Sequence, residues 1–258
     1  MGKHRGAARR WMKMRRLAII ALVLGCASSR NGTGGPDGSV ESVDSGISDS
    51  SMPDGNGCAT QPCDILAQCG CASLESCDLN DTDTGTACRG TSGGKEGASC
   101  AVRTACAGRF TCAFLGDSGN CMRYCARDTD CIAPRGECAV QLLNDADQPI
   151  PGALLCSSNC DPTALSDPLC PAGWGCDLAN ESSRQVVDCF PAGTGTQGQA
   201  CSDTAPCAPG YTCNGPSGSL SCRRICSPPA NTGCPAPTTC AAYTPPFVVG
   251  GTQYGECR

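Results

Sequence analysis

Histidine is almost absent from this 258-residue chain. Its one copy, His4, lies in a basic N-terminal stretch, and beyond Lys13 the only lysine is Lys95. General acid and base chemistry near neutral pH falls mostly to His, or to a Lys or carboxylate tuned by its surroundings. Carboxylates are plentiful, but no segment predicts the apolar cleft that would tune one, so the sequence offers no candidate catalytic residue and no cofactor site. Large apolar residues are scarce as well. Leu, Ile, Val and Phe make up roughly an eighth of the chain beyond the N-terminal stretch, under the ~20% below which an uncrosslinked chain would be disordered. Long apolar runs are missing: Leu17 to Leu24 is far shorter than the ~20 residues needed to span a bilayer. Positive charge is also thin. Residues 1–16 hold seven of the 19 Lys and Arg and none of the 24 acids, so the remainder carries 12 basic against 24 acidic residues. That balance disfavours nucleic acid and anionic lipid as partners and leaves basic proteins or divalent cations open.

What the chain does have is cysteine, 27 of them. They fall into six four-cysteine units: Cys63, Cys71, Cys77 and Cys88; Cys100, Cys106, Cys112 and Cys121; Cys125, Cys131, Cys138 and Cys156; Cys160, Cys170, Cys176 and Cys189; Cys201, Cys207, Cys213 and Cys222; Cys226, Cys234, Cys240 and Cys257. The gaps between units run 11, 3, 3, 11 and 3 residues, which divides them into two matching halves. Equivalent cysteines lie near 101 residues apart, as in Cys100 and Cys201 or Cys156 and Cys257. Other residues agree too: Cys77-Asp78-Leu79 matches Cys176-Asp177-Leu178, and Phe110-Thr111-Cys112 matches Tyr211-Thr212-Cys213. The reading is a tandem duplication, residues 58–156 and 157–258, of small units stacked in series.

Parity adds a second inference. With Cys26 set aside, 26 cysteines remain, enough for 13 disulfides: twelve within the units, and Cys58 with Cys69, which lie outside the pattern. Four cysteines allow three connectivities. First-to-third with second-to-fourth is the preferred one, and bridges between neighbouring cysteines also fit the spacing. The predicted class is therefore a small disulfide-rich fold of short β-hairpins and loops, with little helix and crosslinks standing in for apolar burial. A bridge closing a ~15-residue loop is worth about 3 kcal/mol. Such domains belong to oxidising compartments.

The N-terminus supplies the route out. Residues 1–25, basic and then apolar, read as an export signal; a start at Met12 or Met14 would give a more typical short one. Residues 26–57 begin with Cys26 and continue as a Ser, Gly and Asp-rich stretch with only Val40, Val43 and Ile47 as large aliphatics. This composition predicts a disordered tether, and 31 flexible residues reach roughly 30 Å.

Locally, the third gap of most units reads as a hairpin, for example Val140 to Leu143, a turn from Asn144 to Pro151, and Ala153 to Leu155. The steps Cys170-Pro-Ala-Gly173-Trp174-Gly-Cys176 and Cys207-Ala-Pro-Gly210-Tyr211-Thr-Cys213 place glycine where a turn needs positive φ. In Cys106-Ala-Gly108-Arg109-Phe110-Thr-Cys112 the glycine is shifted by one. Trp174, Tyr211 and Phe110 read as plugs of small cores, with ligand contact as the other option. Asp78, Asn80, Asp81 and Asp83 cluster, but Gly85 and a missing downstream Glu break the EF-hand pattern, leaving a solvated acidic turn.

Val23-Leu24-Gly25-Cys26 resembles the lipobox of bacterial lipoproteins, and Cys125-Ala-Arg-Asp128-Thr-Asp130-Cys131 is similar to a step found in cysteine-rich lipoproteins of Gram-negative, especially delta-proteobacterial, lineages with Dickkopf-N or EGF-like repeats. The resemblance implies diacylation at Cys26, membrane attachment through that lipid and, from Ala27 and Ser28, sorting to the outer membrane. It implies no catalytic, metal or cofactor residue. Ordinary cleavage after Ala27, giving a secreted or periplasmic protein, is the competing reading. The expected function is a noncatalytic envelope module with an extracellular or envelope protein as its partner. Its alternatives are a disulfide-scaffolded protease inhibitor and a metal-thiolate protein, the latter drawing on close pairs such as Cys69 and Cys71.

Overall fold

A computed structural model describes Cys58 and residues 62–258, apart from 145, 182, 217 and 229–232. Cys26, the export segment and the tether lie outside the described residues. Each four-cysteine unit closes in an antiparallel hairpin. These are β1 (Glu75–Leu79) with β2 (Thr86–Gly90); β4 (Phe110–Leu115) with β5 (Ser118–Arg123), joined at the far edge of β5 by the short β3 (Ser99–Cys100); and β6 (Cys138–Leu143) with β7 (Pro149–Cys156). In the second half they are β8 (Trp174–Glu181) with β9 (Arg184–Pro191), β10 (Tyr211–Asn214) with β11 (Ser221–Cys226), and β12 (Cys240–Val249) with β13 (Thr252–Cys257). β11 also pairs with β13, so the last two units share one sheet in the order β10-β11-β13-β12. Among the described residues, helix is confined to single 3-10 turns such as Arg103–Ala105 and Asp128–Asp130.

All 26 cysteines from Cys58 onward are bridged. Every unit joins its first cysteine to its third and its second to its fourth, as in Cys100–Cys112 and Cys106–Cys121, and Cys58–Cys69 is the thirteenth bridge. The hairpin register explains the pairing. In each unit the third and fourth cysteines are directly opposed across the two strands, for example Cys77 with Cys88, Cys112 with Cys121 and Cys213 with Cys222. Directly opposed residues project to the same face of a sheet. Both sulfurs therefore reach the loop that carries the first and second cysteines, and the two bridges lie side by side under the hairpin.

The duplication is repeated in backbone detail. Gly94 forms a parallel bridge with Cys106, and Gly195 forms the same bridge with Cys207. The Ala107 amide donates to Gly94, the Ala208 amide to Gly195, the Tyr124 amide to Arg109 and the Ile225 amide to Gly210. Gly94 and Gly195 sit against sulfur: a Cβ there would lie 3.0 Å from Cys121 Sγ and 2.7 Å from Cys222 Sγ respectively.

Three residues after the second cysteine, four units turn through positive φ: Leu74 (74°), Arg109 (70°), Gly173 (81°) and Gly210 (81°). Units three and six make the equivalent step with cis peptides, Ala133–Pro134 and Ala236–Pro237. The glycine shift at Gly108 therefore does not move the turn, because hairpin and bridges hold it in place, and Arg109 takes the left-handed conformation instead. Leu74 is 90% exposed and loses no packing when truncated. Leu74→Gly should stabilise the protein by about 0.5–1 kcal/mol, the left-handed penalty less glycine's unfolded-state freedom. A higher midpoint in non-reducing chemical unfolding is the check.

Apolar burial is modest but organised, more than composition alone predicts. Leu79, Met122, Tyr124, Val140, Ile150 and Leu155 form one cluster shared by the first three units. A second gathers Trp174, Val187, Ile225, Phe247, Val249 and Tyr254 from the last three. Trp174, 9% exposed, is a core plug as expected. Tyr211 is half-buried under the Arg224 guanidinium, and Phe110 is half-buried against the bridges of the second unit. Residues 58–258 fall into one contact unit, in which Arg184 of the second half pairs with Asp128 and Glu137 of the first.

Candidate functional site

The cysteines predicted as a scaffold are brought together as one. Within a unit the two bridges pack so closely that three sulfurs, for example those of Cys100, Cys106 and Cys121, lie within 4.8 Å of one another. Sulfurs bonded in pairs are not thiolates, and thiolate is the form that ligates soft metals. In the oxidised fold these clusters are crosslinks.

The acidic cluster at Asp78 to Asp83 is only in part the solvated turn that its composition implies: Asp81 is exposed, whereas the Asp78 and Asp83 side chains are buried. Asp78 is buried. Its Oδ1 accepts hydrogen bonds from the Tyr124 hydroxyl (2.6 Å) and the Leu79 amide (2.8 Å), its Oδ2 accepts a longer one from the Thr111 hydroxyl (3.4 Å), and Arg89 Nε stands 3.9 Å away. Asp81 pairs with Arg89, and Asp83 with Arg103. Asn80 accepts from the Thr82 and Thr84 amides and so shapes the turn. The cluster fastens the first unit to the second. Burial, and the Asp78 carboxylate beside it, push the Tyr124 phenol far above its ordinary pKa.

A second buried acid lies where the halves meet. Asp188 on β9 accepts from the Ser158 hydroxyl (2.7 Å), the Ser158 amide (3.3 Å) and the Cys189 amide (2.8 Å). Glu96, from the long gap of the first half, accepts from the Asn159 amide through Oε1, while its Oε2 is buried without a hydrogen bond. Burial raises the pKa of all three neighbouring acids, Asp188, Glu96 and Glu181, with Asp188 pushed up to about 6.

The concavity with open chemistry lies beside the second unit. A groove of about 340 Å³ is lined by Leu66, Arg109, Arg123, Tyr124, Ala126, Arg127 and Asp130. Arg109 and Arg123 are neighbours because Phe110 is opposed to Arg123 in the β4–β5 register and the Tyr124 amide bonds to the Arg109 carbonyl. Asp130 is spent locally: it accepts the Ala126 and Arg127 amides and lies 3.6 Å from Arg127 Nε. Known protein families, curated proteins and solved structures contain no match to the chain.

With no relative to supply a site, the duplication serves as the internal reference. Sequence reasoning missed this groove. The signal that finds it is the alignment of the halves, in which Arg109, Arg123 and Arg127 stand opposite Gly210, Arg224 and Pro228. That comparison shows that the basic pair 109 and 123 belongs to the first half alone.

Proposed function

We propose that this chain is a noncatalytic cell-envelope lipoprotein that presents its disulfide-rich β module outside the cytoplasm as a binding or structural element. The observation that carries the reading is the cysteine arithmetic. Residues 58–257 consume 26 cysteines in 13 bridges, an oxidised state that belongs to a non-cytoplasmic compartment, and Cys26 alone is left over behind a short apolar run. The resemblance of Val23 to Cys26 to a lipobox supports diacylation there, with the outer membrane as destination. A secreted inhibitor-like module shares the scaffold but needs no lipid, and a metal-thiolate protein would need these sulfurs reduced.

Intact mass of the protein recovered unreduced from its envelope, after alkylation, should show no alkylated thiol and a diacylglycerol adduct on the N-terminus. Cys26→Ala should move the protein from the membrane to the soluble fraction. A Cys26→Ala variant that still fractionates as an integral lipoprotein would overturn the anchoring claim.

A further inference from the structure

The two halves solve one turn in opposite ways, and the difference marks a site. In the second half the position after Pro209 is Gly210, and Arg224 folds over it. Its guanidinium lies 5.3 Å from the Tyr211 ring centroid and donates to the carbonyl oxygens of Gly210, Gly233 and Thr163. A Cβ on residue 210 would stand 2.0 Å from Arg224 Nη1. The second half thus closes the space with its own arginine, and the charge is used up on backbone carbonyls.

In the first half the equivalent of Gly210 is Arg109, an L-residue at φ 70°. Gly210 shows that this turn is made without a side chain, so the fold does not require an arginine in a conformation that L-residues rarely adopt. Arg123, the equivalent of Arg224, makes no hydrogen bond or ion pair through its guanidinium among the described residues. Neither does Arg109. Arg89, Arg103, Arg127, Arg184 and Arg258, by contrast, each hold a carboxylate. On a body with twice as many acids as bases beyond residue 16, these two guanidinium groups line one groove, with the Glu96 carboxylate acting on Arg123 only from beyond ion-pair distance. Leu74 makes the same turn in the first unit at φ 74°, so what sets Arg109 apart is the charge it brings to the groove beside Arg123.

We propose that this groove binds acidic peptide segments of a partner protein, with Arg109 and Arg123 each gripping a carboxylate and Leu66 receiving an aliphatic side chain. The guanidinium fork matches carboxylate geometry in two parallel hydrogen bonds. Leu66 is 37% exposed and lines the groove together with Ala126, apolar surface of use to a peptide that mixes acids with aliphatics and of none to a bare inorganic anion. This deepens the binding-module reading and rests on it. It names the chemistry of the partner and the half of the molecule that takes it.

The test is a fluorescence-anisotropy titration of the oxidised full chain with a labelled hexapeptide of sequence Glu-Leu-Glu-Glu-Leu-Glu, at low and at moderate salt. Binding should weaken with salt, and Arg109→Gly or Arg123→Gln should each weaken it about tenfold or more. Arg223→Gln, which removes a charge away from the groove, should leave it within about twofold. Arg109→Gly gives the turn the residue that the second half uses, so its thermal midpoint should equal or exceed that of the parent, which separates lost binding from lost fold. Parent-like binding by Arg109→Gly and Arg123→Gln together, or no binding by the parent, overturns the proposal. Equal affinity for a sulfated oligosaccharide or for inorganic phosphate overturns the assignment to peptide. The lipid mass on Cys26 is read separately, so an anchored protein that ignores the peptide refutes the groove alone, and an unanchored one that binds it refutes the anchor alone.

Discussion

Reduction of the bridges should unfold residues 58–258 completely, with loss of the β signal in circular dichroism and exposure of Trp174. Each unit bridge closes a loop of 12 to 25 residues, worth about 3 kcal/mol by restriction of the unfolded chain. The net stability of a domain is commonly about 5–15 kcal/mol, so the loss of a few bridges removes the margin. The apolar clusters cannot replace them: each offers only a handful of large side chains, and the sulfurs themselves occupy much of the interior. The effect should also be graded. Cys106→Ser with Cys121→Ser opens the bridge beneath β4 and β5, with both sulfurs buried, and should cost about 3 kcal/mol or more. Cys58→Ser with Cys69→Ser removes the bridge outside the repeat pattern, at the edge of the described chain, and should cost distinctly less. Non-reducing chemical unfolding of the two double variants is the comparison. A fold that survives full reduction would show that apolar contacts suffice.

Stability should fall as pH rises from about 4 to about 6, by about 3 kcal/mol. The cause is Asp188, whose carboxyl is buried between the halves with a pKa pushed up to about 6, against 3.8 for the free group. A carboxyl that holds its proton more tightly when folded favours the folded state most where it is protonated. The contribution is fully present below about 3.8 and is lost as pH passes 6. Glu96 and Glu181, the acids that face it, are raised in the same direction by burial and reinforce the slope. Asp188→Asn keeps a carbonyl acceptor for Ser158 and for the Cys189 amide but cannot ionise, so it should flatten the profile. Unfolding midpoints from pH 3.5 to 7.5 provide the measurement. A rise through that window would mean that the hydrogen bonds to Ser158 and Cys189 hold the carboxylate ionised, and would sink the claim.

Much of this architecture is legible in the sequence because bridge geometry constrains it directly. Cysteine spacing carries the units, and the 101-residue offset carries the duplication. The preferred connectivity is the one formed, since opposed third and fourth cysteines present their sulfurs to one loop. The polar interior was not legible. Asp78 lies in a run of acids and looks solvated until Thr111 and Tyr124 of the next unit close over it, a contact that spacing does not encode. Arg109 reads as a misplaced glycine turn until the backbone shows that the turn stays and the arginine bears it. Asp188 meets Ser158 and Glu96 only through the docking of units whose order along the chain says nothing of their faces.

The crossed bridges have a topological consequence. Because first-to-third and second-to-fourth links overlap, a peptide bond cut anywhere between the first and last cysteine of a unit leaves the two pieces joined by at least one disulfide. Within residues 58–257, fragments can part only at the gaps between units. Three of those gaps, residues 122–124, 157–159 and 223–225, are short and largely buried, with Tyr124, Ser158 and Ile225 inside the fold. The remaining two, residues 89–99 and 190–200, are mostly at the surface, and the first of them carries the exposed Lys95. The bridged body of a molecule standing outside the cytoplasm among proteases can therefore be nicked repeatedly and still hold together, with these two stretches as the accessible seams among the described residues.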